Sequence, residues 1–224
     1  MFAVIFEVQP KADRFDEYLE LAKFLKPELE KIDGFIDNER FGSRRIKGRI
    51  LSLSTWRDEK AVIRWRTLAV HHGVQEKGRF ELFEDYHLRV GEIVSDTDVP
   101  QGHVLREQRF DVTEVGKAKS VTISELMPVA AGKPKDLDQS VELRVRYPNC
   151  EGLAEREVFD SIYSPGKSLL LASWGNAAAA DRWRPDVAHA GRLRHRQVRI
   201  IRDYGMADRR EAPQFYRPTR PSGA

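Results

Sequence analysis

Two copies of one sequence pattern occur in this chain, and they constrain its fold more than any other feature. All four tryptophans belong to the pattern: Trp56 and Trp65 in the first copy, Trp174 and Trp183 in the second, with an offset of 118 residues. A fixed offset between similar segments is the signature of a duplicated structural unit. We therefore predict two similar units.

The same offset extends the match well beyond the tryptophans. Residues recur at this offset without a gap from the first predicted strand to the last: Glu7 and Glu125, Arg64 and Arg182, Arg66 and Arg184, His71 and His189, Gly73 and Gly191, and Asp85-Tyr86 and Asp203-Tyr204. An ungapped match of this length predicts that the whole unit was duplicated, and not only one motif.

The composition is typical of a soluble globular protein and excludes several other classes. The formal charge of +3, from 38 basic and 35 acidic side chains, is too nearly balanced to predict a nucleic-acid partner. No apolar run approaches the roughly 20 residues that span a bilayer, and no basic segment precedes the first predicted strand. We therefore expect no membrane partner, no cleaved signal and a cytoplasmic location. The single cysteine, Cys150, excludes an intramolecular disulfide and a cysteine-rich metal site.

The first unit has the predicted element order β-α-β-β-α-β. Strands are predicted over residues 2–8, 34–41, 49–56 and 80–90, and a helix over 13–32 whose apolar residues recur three and four apart. A second helix, capped by Asp58, carries Trp65, Leu68 and His72 on one face. Two helices on one face of a four-stranded antiparallel sheet make a ferredoxin-like α+β layer.

Four segments follow from this pattern. We predict a first ferredoxin-like domain over residues 1–95, a linker over 96–119 in which 103–115 could add a strand, a second, degenerate ferredoxin-like domain over 120–207, and a basic, proline-rich tail over 208–224. The second domain is degenerate because its first helix, within 130–147, is interrupted by Gly132 and Pro134, and because Pro185 ends its tryptophan helix. The tail is predicted to be an arm or disordered.

The first 95 residues resemble the antibiotic biosynthesis monooxygenase family of dimeric α/β barrels. The residues that carry the resemblance are Trp56 through Trp65, then His71-His72, a glycine-bearing loop, and the segment from Phe83 to Glu92. The second half is similar only through Trp174, Trp183, His189 and Asp203-Tyr204. The resemblance implies that two ferredoxin-like sheets pack into one barrel, which this chain could build alone or in a homodimer.

The resemblance also implies a function. It suggests cofactor-independent oxygenation of a small aromatic substrate of the phenol or quinol type by O2, in a pocket between the sheet and the helices of the first half, with no metal or flavin. One alternative is a haem-binding or haem-degrading protein, although such relatives carry an Asn on the first strand that residues 2–8 lack. Another alternative is a non-catalytic module for ligand binding or oligomerisation.

Trp65, His72 and His71 are the candidate catalytic residues under this resemblance. Trp65 would hold the substrate ring, and a histidine would remove a phenolic proton. On a helical wheel His72 lies within about 20° of Trp65 and His71 about 120° away, but only His71 recurs in the second copy. The alternative is a core role for Trp65 and a helix-capping role for the histidine.

Arg64, Tyr86 and Glu7 are the candidate substrate-binding residues. Arg64 would stabilise a substrate anion, Tyr86 would donate a hydrogen bond to a quinone oxygen, and Glu7 would point inward as an acid or base. The structural alternatives are a solvated charged face for Arg64, barrel packing for Tyr86 and a solvated or salt-bridged carboxylate for Glu7.

Overall fold

The computed structural model describes residues 1–128, 151–183 and 191–216. The helix predicted within 130–147, the cysteine at 150, the break predicted at Pro185 and the repeated His189 lie outside the described residues. Within them, no helix is both long and apolar enough to cross a membrane.

Eight antiparallel strands close into one barrel. They are β1 (Phe2–Pro10), β2 (Phe35–Ser43), β3 (Ile50–Trp56), β4 (Phe83–Asp96), β5 (Ser120–Pro128), β6 (Leu153–Ser161), β7 (Ser168–Trp174) and β8 (Gly191–Gly205). The order around the barrel is β1-β3-β2-β6-β7-β5-β8-β4. Each half contributes four adjacent strands in the ferredoxin-like order. The predicted α+β barrel of two such sheets is confirmed, and a single chain closes it.

The barrel interior is filled by alternate residues of its strands. Met1 and, in β1, Ala3 and Ile5 point inward and join a core with residues of β5, among them Val121 and Ile123. The intervening β1 residues, such as Phe2 and Val4, face the helices instead. This alternation follows from the two-residue period of a strand and gives each sheet two covered faces.

Two seams join the halves, and they differ in length. β4 pairs with β8 over nine residue pairs, from His87–Gly205 to Asp96–Arg196. β2 pairs with β6 over only three. The long seam carries the end of β8 along the first sheet, so residues of the second half reach the helix side of the first unit.

The helices of the first unit are α1 (Phe15–Glu30), α2 (Glu59–Thr67) and α3 (Ala69–Lys77), and α3 continues into a π-helical turn, Gly78–Leu82. The predicted cap is present, because the Asp58 side chain accepts a hydrogen bond from the Ala61 amide at 2.8 Å. The prediction of one helix from Asp58 to His72 is wrong. Leu68 is extended, with ψ of 127°, so the chain turns between α2 and α3.

The turn before β2 approaches the start of α2 very closely. Gly34 has φ of +91°, and a Cβ atom there would lie 2.8 Å from the Cβ of Ala61. The second unit repeats both features, since Gly152 has φ of +85° and its Cβ would lie 2.7 Å from Ala179. Only glycine combines that conformation with so close a contact. The helix concerned is α4 (Ala177–Arg182).

The ungapped register predicted for the duplication is wrong at the last strand. In the first unit Phe2 pairs with Glu92, and in the second unit Ser120 pairs with Arg199. The strands β4 and β8 therefore correspond at an offset of 107 residues, whereas β1 to β3 correspond to β5 to β7 at 118. The second unit is shorter between its tryptophan helix and its last strand, the region where the first unit has α3 and the π-helical turn.

Two further segments differ from prediction. Residues 103–115 form no strand. Part of their backbone is hydrogen-bonded to side chains: the Glu92 carboxylate accepts hydrogen bonds from the amides of Gln108 and Arg109. The part of the tail up to residue 216 is packed against the first unit and is not a free arm, because Gln214 and Tyr216 contact Gln75 of α3.

Candidate functional site

A cavity of about 210 Å³ lies between the helix side of the first sheet and the helices above it. The sheet side is lined by residues of all four first-unit strands and by Arg202 and Tyr204 of β8. The opposite side is lined by α1, α2, α3 and the C-terminal segment, which we define as residues 206–216. Both halves of the chain therefore build one site, although the helices that cover it belong to the first half.

The cavity is bounded by an apolar cluster at each end. One cluster surrounds Phe2, Trp56 and Val62, and the other surrounds Val8, Tyr18 and Tyr86, while Leu88 packs against both. Between them the sheet presents polar groups to the cavity. Asn38 donates hydrogen bonds to the Ser52 hydroxyl at 3.1 Å and to the Leu53 carbonyl at 3.0 Å. A small, largely apolar molecule with a few polar groups would fit this lining.

Trp65 and His71 form a stacked pair in the cavity wall. Their ring centroids are 3.9 Å apart with an angle of 17° between the planes. His71 Nδ1 lies 2.9 Å from the Trp65 carbonyl oxygen. Since a carbonyl only accepts, Nδ1 carries the proton and Nε2 keeps its lone pair. Burial lowers the pKa of His71 to about 4, so the ring is neutral at pH 7.

His72 does not line the cavity, contrary to the helical-wheel expectation. Its side chain is exposed, with Nδ1 at 3.2 Å from the Tyr216 hydroxyl. The wheel assumed one continuous helix, but the turn at Leu68 rotates α3 relative to α2. That turn brings His71 under Trp65 and directs His72 toward the C-terminal segment.

Two of the three predicted substrate-binding residues lie away from the cavity. Arg64 is exposed and its Nη2 donates to the Asp33 carbonyl oxygen at 2.9 Å and to the Asp33 carboxylate at 3.2 Å. Glu7 points into the barrel interior, where it accepts a hydrogen bond from buried Arg89. Geometry therefore assigns Arg64 to the surface and Glu7 to an interior ion pair.

Tyr86, the third of these residues, lines the cavity and is buried. Its hydroxyl oxygen accepts hydrogen bonds from two guanidinium groups, those of Arg79 and Arg209. Tyr204 lies beside it, and burial raises the pKa of Tyr204 to about 12, which keeps that phenol protonated. This end of the cavity is therefore cationic and rich in phenol groups.

In the described part of the second unit, the counterpart of Trp65 is Trp183, which packs against other side chains. Trp183 is buried and its ring lies 5.9 Å from Trp174 and 5.4 Å from His195, measured between centroids. By the 107-residue offset, His195 corresponds to Leu88. Its Nδ1 lies 2.9 Å from the Ser124 hydroxyl. In the described part of the second unit, Trp183 thus has the core role that was one of the two alternatives for Trp65.

Sequence reasoning missed most of the polar cavity residues. Those on the sheet are Asn38, Arg40, Ser52 and Ser54; those on the helix side are Gln75, Arg79, Arg209, Gln214 and Tyr216. The strand residues had a readable signal, because they are polar at alternate positions on the face that should pack against helices. Arg79 and the C-terminal residues had none, since only the tertiary fold brings them together.

No group of three or more histidine, cysteine, aspartate or glutamate side chains within residues 1–128, 151–183 and 191–216 could hold a metal ion.

Comparison with known proteins adds two findings about sequence. The family model described as Antibiotic biosynthesis monooxygenase matches residues 1–77. A protein named Jasmonate monooxygenase ABM, from Pyricularia oryzae, is 45% identical over 224 residues, which covers 97% of this chain and 99% of that relative. The chain belongs to the antibiotic biosynthesis monooxygenase family. The predicted resemblance is confirmed, and the chain is of the monooxygenase type that defines this family.

Two solved structures show the same fold as this family member. A crystal structure of aldoxime dehydratase OxdRE in complex with butyraldoxime has a TM-score of 0.57 and 11% identity, and the match covers 89% of this chain and 79% of that one. A second aldoxime dehydratase structure has a TM-score of 0.53 and 11% identity, with coverage of 89% and 81%. At this identity the likeness concerns the barrel alone.

Proposed function

We propose that this protein is a monooxygenase that acts on a small, largely apolar organic acid bound in the first-unit cavity, and that jasmonate is the first substrate to test. The observation that carries the proposal is the cavity itself. It combines an apolar wall, the stacked Trp65 and His71 pair and a cationic end at Tyr86. The name of the 45% identical relative supports jasmonate as the test compound.

Jasmonate has the chemical character that the lining favours. It is a cyclopentanone with an apolar pentenyl chain and one carboxylate. The apolar walls would bury the ring and chain, and burial of apolar surface supplies about 25 cal/mol per Å². Removing water from the site also strengthens each remaining polar contact with the bound molecule.

Hydroxylation of jasmonate by O2 needs a source of electrons. Hydroxylation of a C–H bond by O2 places one oxygen atom in the product and reduces the other to water, which requires two electrons and two protons from a reductant. An assay with jasmonate therefore includes a reduced nicotinamide or a thiol as the electron donor. The cofactor-independent character of the reaction is part of the proposal, and the same assay tests it with protein dialysed against a chelator.

Phenols and quinols are a second candidate class, and the Trp65 and His71 pair favours them. The indole would hold an aromatic ring, and the Nε2 lone pair of neutral His71 would accept a phenolic proton. Oxidation of an anthrone CH2 group to C=O by O2, with release of water, needs no external reductant. Its electrons come from the substrate.

Oxygen uptake combined with product mass spectrometry tests the proposal. The purified chain is given jasmonate with and without reductant, and separately a panel of anthrones and quinols. We expect uptake that depends on the organic substrate and a product heavier by one oxygen for jasmonate. If a folded protein that binds jasmonate consumes no oxygen with any of these compounds, the proposed function is wrong and a binding module is favoured.

A further inference from the structure

We propose that residues 213–216 form a flap that opens to admit the substrate and closes over it, and that Gln75 of α3 is the latch that holds the flap shut. The inference rests on the proposed function, because it takes the first-unit cavity as the place where the substrate binds. It deepens that function by assigning the entrance of the cavity to a named segment of the chain.

The side of the cavity formed by α3 and the C-terminal segment contains no buried residue. All of α3 and all of residues 206–216 are exposed or half-buried. The side formed by the other two helices is different, because both bury residues: Tyr18, Ala22, Leu25 and Leu29 in α1, and Ala61 and Val62 in α2. Segments with few buried contacts open at the lowest cost in free energy. The cavity therefore opens most easily at α3 and the C-terminal segment.

The C-terminal segment is anchored at Glu211, just before the flap. The Glu211 carboxylate accepts hydrogen bonds from the Asp203 amide of β8 and from the Thr113 hydroxyl, both at 2.7 Å. It also accepts hydrogen bonds from the amides of Glu114 and Val115, at 2.7 and 3.2 Å. Hydrogen bonds to an ionised carboxylate are stronger than those between neutral groups. The chain up to this anchor therefore stays in place when the flap moves.

Two side chains of the flap converge on Gln75. Gln214 Nε2 donates to Gln75 Oε1 at 3.3 Å, and the Tyr216 hydroxyl donates to the same oxygen at 3.4 Å. Gln214 Nε2 also donates to the Arg66 carbonyl at 3.4 Å, and the Gln214 carbonyl accepts a hydrogen bond from Arg209 at 2.9 Å. The three side-chain contacts are longer than the roughly 2.7–3.0 Å of a strong hydrogen bond. Each is therefore weak, and together they form a latch that breaks and re-forms readily.

The Tyr216 side chain makes further weak contacts around this latch. Its hydroxyl oxygen lies 3.2 Å from His72 Nδ1, and its ring centroid lies 6.3 Å from that of Phe80. The Cζ atoms of Arg79 and Arg209 lie 5.8 and 5.1 Å from the same centroid. Contacts of a guanidinium with an exposed ring are individually weak. They orient the closed flap and do not lock it.

A bound substrate favours the closed flap, because it touches the flap only when the flap is closed. Pro213, Gln214 and Tyr216 all line the cavity. A ligand shifts a conformational equilibrium only through contacts that differ between the two states. Closure also excludes water, which strengthens the polar contacts inside the site. The substrate thus stabilises the cover under which it reacts.

Thiol labelling measures opening of the flap without depending on turnover. V90C places a thiol in the cavity, because Val90 lines it and is 8% exposed. I93C, on the opposite face of the same strand, places a thiol in the barrel interior. Cys150 is replaced by serine in both chains, so the introduced thiol is the only one. The reagent is methyl methanethiosulfonate, which is small and neutral, and mass spectrometry follows its attachment.

We expect V90C to be labelled roughly a hundred-fold faster than I93C, whose thiol reacts only when the barrel unfolds. The V90C rate should level off at high reagent concentration, where opening of the flap becomes limiting. Q75A should raise this limiting rate about ten-fold, because it removes the acceptor of two hydrogen bonds, and Y216F about three-fold, because it removes one donor.

F215A is the matched control. Phe215 lies between the two latching side chains of the flap, but it is 90% exposed and is not part of the cavity lining. This variant should leave the labelling of V90C unchanged. Three results would overturn the inference: equal rates for V90C and I93C, a V90C rate that stays proportional to reagent concentration, or no effect of Q75A in a folded chain.

Jasmonate separates a failure of the flap from a failure of the proposed function. If jasmonate binds in the cavity, it should slow the labelling of V90C. Labelling that levels off and responds to Q75A, in a chain that neither binds nor oxidises jasmonate or the quinols, keeps the flap and loses the proposed function. A wild type that oxidises one of these compounds, with V90C labelling that Q75A leaves unchanged, keeps the proposed function and loses the flap.

Discussion

At the scale of single residues, two adjacent histidines have opposite environments. His71 is stacked on Trp65 in the cavity wall, and His72 is exposed beside Tyr216. The sequence contains two conflicting indications of which histidine faces the cavity. His71 recurs in the second copy, whereas the helical wheel placed His72 beside Trp65. The helical-wheel prediction was wrong because it assumed one continuous helix through Leu68, where the backbone is extended.

Substitution of each histidine tests the role proposed for His71. Because Nε2 of His71 keeps a lone pair inside the cavity wall, H71Q should lower kcat with a quinol substrate by about a hundred-fold, the usual contribution of one general base. H72Q is the control and should change kcat less than two-fold. Steady-state oxygen uptake measures both. Similar losses in the two variants would contradict the assignment.

The low pKa of His71 also predicts a pH dependence of stability. Between the folded pKa of about 4 and the ordinary value of 6.5, the unfolded chain binds more protons than the folded one. The free energy of unfolding should therefore rise with pH across this window, by roughly 2 kcal/mol after allowance for the partial exposure of His71. Above pH 7 the contribution is complete.

Urea unfolding at pH 4.5, 5.5 and 7.5 measures this contribution as the difference between wild type and H71Q. The difference isolates His71 from the carboxylates that titrate in the same range. An H71Q variant with the same pH profile as the wild type would show that His71 does not titrate abnormally.

At the scale of elements, strands were easier to predict than helix ends. The alternation of β1 and the turn glycines Gly34 and Gly152 are local features, so the sequence indicates them directly. Leu68, where the chain turns, is neither glycine nor proline, so no local signal marks this position, and the helix that follows contacts the C-terminal segment through Gln75. The C-terminal segment likewise carried no local signal for these contacts, since its prolines predicted an arm or disorder.

The tryptophan helices of the two units offer a matched pair of N-caps. Asp58 accepts from the Ala61 amide and Asn176 from the Ala179 amide, both at 2.8 Å. D58A and N176A should each lower the free energy of unfolding by about 1 kcal/mol, and D58N by only a few tenths, since asparagine caps as well as aspartate.

Urea denaturation of the single and double variants measures these effects. The caps belong to different units, so the losses should add within about 0.5 kcal/mol in the double variant. A strong departure from additivity would mean that the two helices are coupled through the barrel.

At the scale of the whole molecule, the duplication is symmetric inside the barrel and asymmetric outside it. In the interior, Arg89 binds Glu7 and donates to Ser173 at 2.7 Å, and Arg196 binds Glu125 and donates to Thr55 at 3.0 Å. Each arginine thus donates a hydrogen bond to a residue of the other unit, and the same arrangement occurs in both halves. The repeat of the tryptophans predicted two similar units, and the family resemblance implied that their sheets form one barrel. The shortened second unit and its shifted last strand could not be predicted from an ungapped match.

These interior pairs should be strong determinants of stability. R89A would leave Glu7 buried with Arg49 at 3.6 Å and the His87 ring at 3.9 Å, and we expect a loss of about 3–5 kcal/mol. R196A should lower the free energy of unfolding by less, because Glu125 keeps an ion pair with Lys167 at 2.5 Å. The neutral double variant E7L/R89L should lose much less, since no buried charge remains unpaired. Denaturant midpoints provide the comparison, and a mild effect of R89A would indicate that water reaches the barrel interior.

The central claim is that oxygenation takes place in the first-unit cavity. It is tested most directly by product mass spectrometry under ¹⁸O₂ with the wild type and with two variants that fill the cavity from opposite sides, S52F on β3 and A22F on α1. We predict that the wild type incorporates one ¹⁸O atom into the organic substrate and that both variants, if folded as judged by their unfolding midpoints, incorporate almost none. Undiminished incorporation of ¹⁸O by folded S52F and A22F would contradict the claim and place the reaction elsewhere in the molecule.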